Sequence, residues 1–176
     1  VKIMHGEITI ESEENQGTRV AVKLTFPICS TSQRENRTKT EDLSILHGKR
    51  VILCEESSEN EEQTYRILKK AGMLVEIAEN GEKIIELFQK SEPYYYDAIL
   101  INVRMTGMNG FEITSGIRKL NRNDAYLIPI VALIMDTYDE NIATPIAGGM
   151  DAQIEEPIDI RELVKPLREF WKSYKE

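Results

Sequence analysis

From Lys49 onward the sequence alternates short β-branched runs with stretches of helical apolar spacing, and this rhythm constrains the fold more than any other feature. The runs are Arg50 to Cys54, Leu74 to Ala78, Ala98 to Val103, Ile128 to Leu133 and Ala152 to Ile154. Between them, Ile67, Leu68 and Ala71 mark a helix closed by Gly72, Ile84, Ile85, Leu87 and Phe88 mark a second, and Ile113, Ile117 and Leu120 a third. A shorter fourth helix is predicted over about Asp139 to Ala147. The fifth starts at Asp159, a good N-cap, and runs through Leu163, Leu167 and Phe170 to Trp171. Strands this short and apolar are buried on both faces, and right-handed crossovers close them into a doubly wound α/β fold, a five-stranded parallel sheet with five helices. Such a sheet offers its functional site at the carboxyl ends of the strands.

The first part of the chain follows another rhythm. Gly6 to Ser12 and Thr18 to Phe26 each alternate apolar and polar residues around a polar turn, which predicts a β-hairpin. A two-stranded hairpin is marginal alone, so its apolar face is expected to rest on something upstream. Ser30 to Ser44 is polar, mixed in charge and without apolar period, the composition of a flexible linker. The expected organisation is therefore a hairpin over 1–28, a linker over 29–48 and an α/β domain over 49–176. Val1 opens the chain inside an amphipathic stretch with no initiator Met and no signal-peptide pattern, the start expected of a piece of a longer protein.

Composition enters where it excludes functions. The formal net charge of -8 opposes attraction to nucleic-acid backbones and anionic lipid, so no nucleic-acid partner is expected. The longest apolar run, Leu127 to Met135, contains Pro129 and falls far short of the ~20 residues of a membrane-spanning helix, so no membrane contact is expected within this chain. Cys29 and Cys54 form no Cys-x-x-Cys pair, which suits a reducing, cytoplasmic location and gives no zinc signature. Any membrane anchor of a parent protein would lie upstream of Val1.

The landmarks Arg50-Val-Ile-Leu-Cys-Glu-Glu, Ala78-Glu-Asn-Gly, Tyr96-Asp-Ala-Ile-Leu-Ile-Asn-Val-Arg-Met-Thr-Gly-Met-Asn-Gly, Ile128-Pro-Ile-Val-Ala-Leu, Gly149-Met-Asp-Ala and Glu156-Pro-Ile-Asp stand in a fixed order. Through them, Lys49 to Lys172 resembles a response-regulator receiver domain, a flavodoxin-like fold. Val1 to Ile28, with Gly-Glu-Ile, then Gly-Thr, then Pro, resembles the carboxyl-terminal end of a histidine-kinase ATPase domain. Kinase end, linker and receiver is the order of a hybrid sensor histidine kinase.

In that family, the resemblance implies, an acidic pair after the first strand helps hold Mg²⁺ and an Asp ending the third strand accepts a phosphoryl group. A hydroxyl after the fourth strand and a Lys after the fifth contact the phosphoryl oxygens. These positions map to Glu55 and Glu56, Asn102, Ile134 and Glu156, and every one departs from the pattern; Gln153 stands where the family has a switching aromatic. Phosphoryl transfer depends on positioning and on neutralising negative charge. An Asn102 amide is no carboxylate nucleophile, so an acyl phosphate cannot form on it. Ile134 has no hydroxyl and fills the space of a phosphoryl oxygen, and Glu156 puts an anion where attraction is needed. Glu55 and Glu56 stay acidic with one extra methylene, so Mg²⁺ is expected to be held weakly at most, and no other cofactor is expected.

The expected function is a degenerate receiver, or pseudo-receiver, of a phosphorelay hybrid kinase, acting by protein contact and not an enzyme. ATP binding is not expected, because the kinase ATP-binding motifs are absent from this sequence. Implied partners are histidine kinase or phosphotransfer domains, with self-association through the fourth helix, fifth strand and fifth helix. Two alternatives stand beside this reading: a working phosphoacceptor, and a pseudo-receiver sensing a small ligand or metal. The remaining polar and aromatic features have ordinary explanations. Tyr94-Tyr95-Tyr96 is expected to pack a loop, His5 and His47 to serve surface or turn roles, and Glu61-Glu62 with Lys69-Lys70 to complement a helix dipole.

Overall fold

A computed structural model describes residues 7–13, 17–23, 42–135 and 145–173. The chain divides into two compact units, Val1–Thr40 and Glu41–Glu176.

In the first unit, β1 (Glu7–Glu13) and β2 (Gly17–Lys23) pair antiparallel, with Ile8 opposite Val22 and Ile10 opposite Val20. The period of two puts these four apolar residues on one face and the charged pairs Glu7 with Lys23 and Glu11 with Arg19 on the other. All four apolar side chains are exposed. His5, Cys29 and the linker as far as Glu41 lie outside the described residues.

The second unit is the expected parallel sheet. β3 (Arg50–Cys54), β4 (Leu74–Ile77), β5 (Ala98–Asn102), β6 (Ile130–Met135) and β7 (Ala152–Glu156) lie in the order β4-β3-β5-β6-β7, every neighbouring pair parallel. The four α-helices among the described residues are α1 (Ser58–Lys70), α2 (Gly81–Lys90), α3 (Gly110–Arg118) and α4 (Ile160–Ser173). Alternation along the central strands builds two cores. Ile52, Cys54, Ile99 and Ile101 face Ile84 and Phe88 of α2 and Ile113 and Ile117 of α3. Val51, Leu53, Leu100, Val131 and Leu133 face Leu68 of α1 and Leu163, Val164 and Leu167 of α4. Burial of such side chains stabilises by about 1.5–3 kcal/mol each.

Local chemistry fixes the helix ends. The Ser57 hydroxyl and the Asn80 amide oxygen cap α1 and α2, accepting from the backbone N–H groups of Asn60 and Lys83. Asn109 and Glu112 form a reciprocal capping box on α3, and Asp159 Oδ1 accepts from the Arg161 N–H at the start of α4, as its sequence suggested. Gly72, at φ 85°, lets the chain turn out of α1, and a Cβ there would meet the His47 ring at 2.7 Å. His47 therefore fills a turn.

Several boundaries differ from the sequence reading, β7 among them, which runs on past Ile154 to Glu156. The stretch expected as linker up to residue 48 contains a 3-10 turn, Leu43–Leu46, whose Leu46 is fully buried in the core shared with α1 and α4, so the second unit begins at Glu41. Leu43, Ile45 and Leu46 supply the apolar surface that ties it down. β6 starts at Ile130 because Pro129 has no N–H to give a ladder, and it runs on to Met135. The expected fourth helix lies mostly outside the described residues, and its described end is the 3-10 turn Pro145–Gly148.

Candidate functional site

The sheet order reverses between β3 and β5, so the chain leaving these two strands opens a crevice at their carboxyl ends. Asn102 is the last residue of β5, Glu55 and Glu56 follow β3 directly, and Glu156 ends β7. Register therefore brings together residues scattered over about a hundred positions.

Asn102 is buried and both ends of its amide are engaged. Its Nδ2 donates to Glu55 Oε2 at 2.9 Å, and its Oδ1 accepts from the Arg104 backbone N–H at 2.8 Å. Glu55, only 5% exposed, keeps Oε1 buried without a hydrogen-bond partner among the described residues. Burial pushes the Glu55 carboxyl up to about 7; the Asn102 amide works against that rise and the nearby Glu156 carboxylate adds to it. Burial also raises Glu156, whose Oε2 accepts from Asn60 Nδ2 at 3.3 Å in the first turn of α1. A proton shared by Glu55 and Glu156 would relieve their repulsion. Neighbouring Cys54 is likewise pushed up to about 12 by burial and the adjacent carboxylates, so it is an unreactive thiol.

Glu56 stands apart from this cluster. It is exposed, and its Oε1 accepts from the Thr106 backbone N–H at 3.2 Å. Ile134, inside β6, is half-buried against the core of α2 and α3, while Gln153 in β7 is exposed and registers with Ala132. The structure thus gathers Glu55, Asn102 and Glu156, while Glu56, Ile134 and Gln153 lie outside this cluster. Sequence reasoning missed Asn60, whose position in the first turn after the Ser57 cap could have pointed it at the strand ends.

This donor set does not fit the Mg²⁺ that receiver domains hold. Among the described residues no three His, Cys, Asp or Glu side chains are disposed around a common ion. Asn102 turns an N–H donor toward Glu55, and one Glu56 oxygen is committed to a backbone N–H.

The family model for the response regulator receiver domain matches residues 51–168. Among curated proteins, the aerobic respiration control sensor protein ArcB of Escherichia coli (strain K12) is 28% identical over 171 residues, covering 97% of this chain and 21% of ArcB. The chain thus spans about a fifth of the length of that relative. Among solved structures, the receiver domain of sensor histidine kinase PA1611 from Pseudomonas aeruginosa PAO1, with a magnesium ion in its active site cleft, superposes with a TM-score of 0.61 at 23% identity, over 70% of this chain and 97% of that one. The receiver domain of the Saccharomyces cerevisiae response regulator Ssk1, crystallised with the histidine phosphotransfer protein Ypd1, gives a TM-score of 0.57 at 17% identity, over 70% of this chain and 89% of that one. At these identities the two structural likenesses concern the fold.

Proposed function

Because the chain belongs to the response regulator receiver domain family, we propose that it is a pseudo-receiver of a hybrid histidine kinase, a phosphorelay module that is not phosphorylated and acts through protein contact. One observation carries this reading. At the end of β5, where the family places its nucleophile, Asn102 donates its amide to Glu55 beside a second carboxyl, Glu156. The lone pair of an amide nitrogen is delocalised into its carbonyl, so the group is no nucleophile toward phosphorus. Glu156 in place of the lysine leaves the incoming oxygens to face an anion or a neutral carboxyl, so the electrostatic half of catalysis is missing as well. Ile134 fills its place with apolar packing where a hydroxyl would be needed.

The amphipathic hairpin β1–β2 supports a kinase-domain end ahead of the receiver, as does the similarity to ArcB over 97% of this chain. The receiver fold supports a phosphotransfer or kinase domain as partner, since Ssk1 is crystallised with Ypd1. With neither hydroxyl nor switching aromatic to respond, the module holds one resting conformation, because a ligand that favours neither state shifts no equilibrium. Incubation with acetyl phosphate and Mg²⁺ followed by intact mass tests this reading. The mass stays unchanged, whereas a stoichiometric gain of one phosphoryl group would overturn the proposal.

A further inference from the structure

At the opposite ends of the strands lies a cavity of about 660 Å³, lined by Ile45, Tyr94, Leu127, Pro129, Trp171 and Lys172 among others. The five-residue strand β5, rising about 3.3 Å per residue, separates it from Asn102. Its volume lies within the range of pockets that take small organic molecules, as does its mostly apolar and aromatic wall.

The frame of this cavity is built with unusual care. Tyr94 is the one described residue other than glycine with positive φ, 62°, although it is 63% exposed and burial offsets little of that cost. It is held there because its backbone N–H donates to Asp124 Oδ2 at 2.7 Å. Asp124 is itself buried and gripped by Arg122 through Nε at 2.6 Å and NH2 at 2.7 Å, while the same guanidinium donates to the backbone carbonyls of Phe88, Ser91 and Glu92. On the other wall, Trp171 Nε1 donates to the Asp97 carbonyl at 2.9 Å, which fixes the indole plane.

Charge selects the ligand. Both carboxylates of the lining are already engaged, Asp97 by Lys49 Nζ at 2.6 Å and by the Arg50 N–H, Asp124 by Arg122 and Tyr94. Lys49 is taken up by Asp97, and among the described residues no ion pair engages the exposed Lys172, so this lining ammonium is left to meet an anion in a chain whose net charge is -8. From these observations we infer that the cavity is a binding site for a small aromatic monoanion, a carboxylate or sulfonate. Its ring lies against Leu127, Pro129 and Tyr94, and its anionic group meets the Lys172 ammonium.

Trp171 is the only tryptophan of the chain, so its emission reads the cavity directly. The probe is 8-anilino-1-naphthalenesulfonate, an aromatic sulfonate, titrated into the intact chain under native conditions. Saturable binding of one probe per chain is expected, with energy transfer from Trp171 and displacement by 1-naphthoate. Lys172→Glu weakens the affinity about tenfold or more, whereas Lys69→Glu, the same charge change on α1, leaves it unaltered. Leu127→Glu, at a partly exposed position, abolishes binding while the circular dichroism stays native. The uncharged N-phenyl-1-naphthylamine binds the parent chain more weakly and does not sense Lys172→Glu. Non-saturable binding would overturn the inference, as would one-site binding that Lys172→Glu and Lys69→Glu weaken equally or that survives Leu127→Glu in a folded variant.

Discussion

The two ends of one sheet are built by opposite rules. At the amino ends of the strands three carboxylates are matched: Asp97 with Lys49, Asp124 with Arg122, and Asp151, which takes Arg118 and the Ile130 N–H on one oxygen. At the carboxyl ends Glu55 and Glu156 share a crevice, and a buried oxygen of Glu55 has no partner among the described residues. The difference separates fold from chemistry. Contacts that define the receiver frame sit in the two cores and the amino-end pairs, so residues of the carboxyl-end crevice can change while the frame stands.

The comparison breaks most visibly where a carboxylate is removed. Asp124→Ala leaves Arg122 buried without its charge partner, and its cost is expected at about 3–5 kcal/mol in urea denaturation. The corresponding deletion at the other end, Glu156→Gln, removes repulsion and is expected to be neutral or stabilising above about pH 7. Equal destabilisation by both variants would erase the distinction.

The pH dependence sharpens the same contrast. Glu55 titrates at about 7 in the folded chain against an ordinary 4.5, so between those values the folded state retains a proton that the unfolded state has released. Stability from this group is fully present below pH 4.5 and is lost as the pH rises through about 7, by up to about 3 kcal/mol. Glu156, raised in the same direction, adds to the loss. Glu55→Gln should flatten this slope, and denaturation midpoints across the interval read it. A slope that survives Glu55→Gln would place its source elsewhere.

A smaller effect is expected at the loop leaving β5. Asn109→Ala removes the cap that accepts from the Phe111 and Glu112 N–H groups, at a cost of about 1 kcal/mol by thermal denaturation. A much larger loss would mean that this loop depends on more than its cap.

What the sequence disclosed follows the same division. Periodicity exposed all five strands of the parallel sheet and α1 to α4, because apolar alternation and helical spacing are local signals. The resemblance to receiver domains, not periodicity, singled out Asn102, Glu55 and Glu156, because the order of landmarks survives around them. Periodicity missed the burial of Leu46, although Leu43, Ile45 and Leu46 offered an apolar cluster inside a polar stretch. Of the three consecutive tyrosines, all expected to pack a loop, Tyr96 enters the core with Tyr95 edge-on to it at 4.9 Å, whereas Tyr94 is exposed on strained backbone. Nothing local announces that Asp97 meets Lys49 and Trp171, 48 and 74 residues away, since only the sheet topology joins them.

If activity is missing through three side chains in an intact frame, restoring those side chains should restore labelling. The parent chain, Asn102→Asp alone, and Asn102→Asp with Ile134→Thr and Glu156→Lys are each exposed to acetyl phosphate and Mg²⁺, and a hydroxylamine-labile phosphoryl group is measured by intact mass. The parent should not label, and the single variant should label feebly, because its new carboxylate faces Glu156 without a counter-cation beneath Ile134. The triple variant should label, more strongly than the separate changes add up to, since nucleophile, hydroxyl and cation act together. Labelling of the parent, equal labelling of the single and triple variants, or a folded triple variant that stays inert would contradict the account.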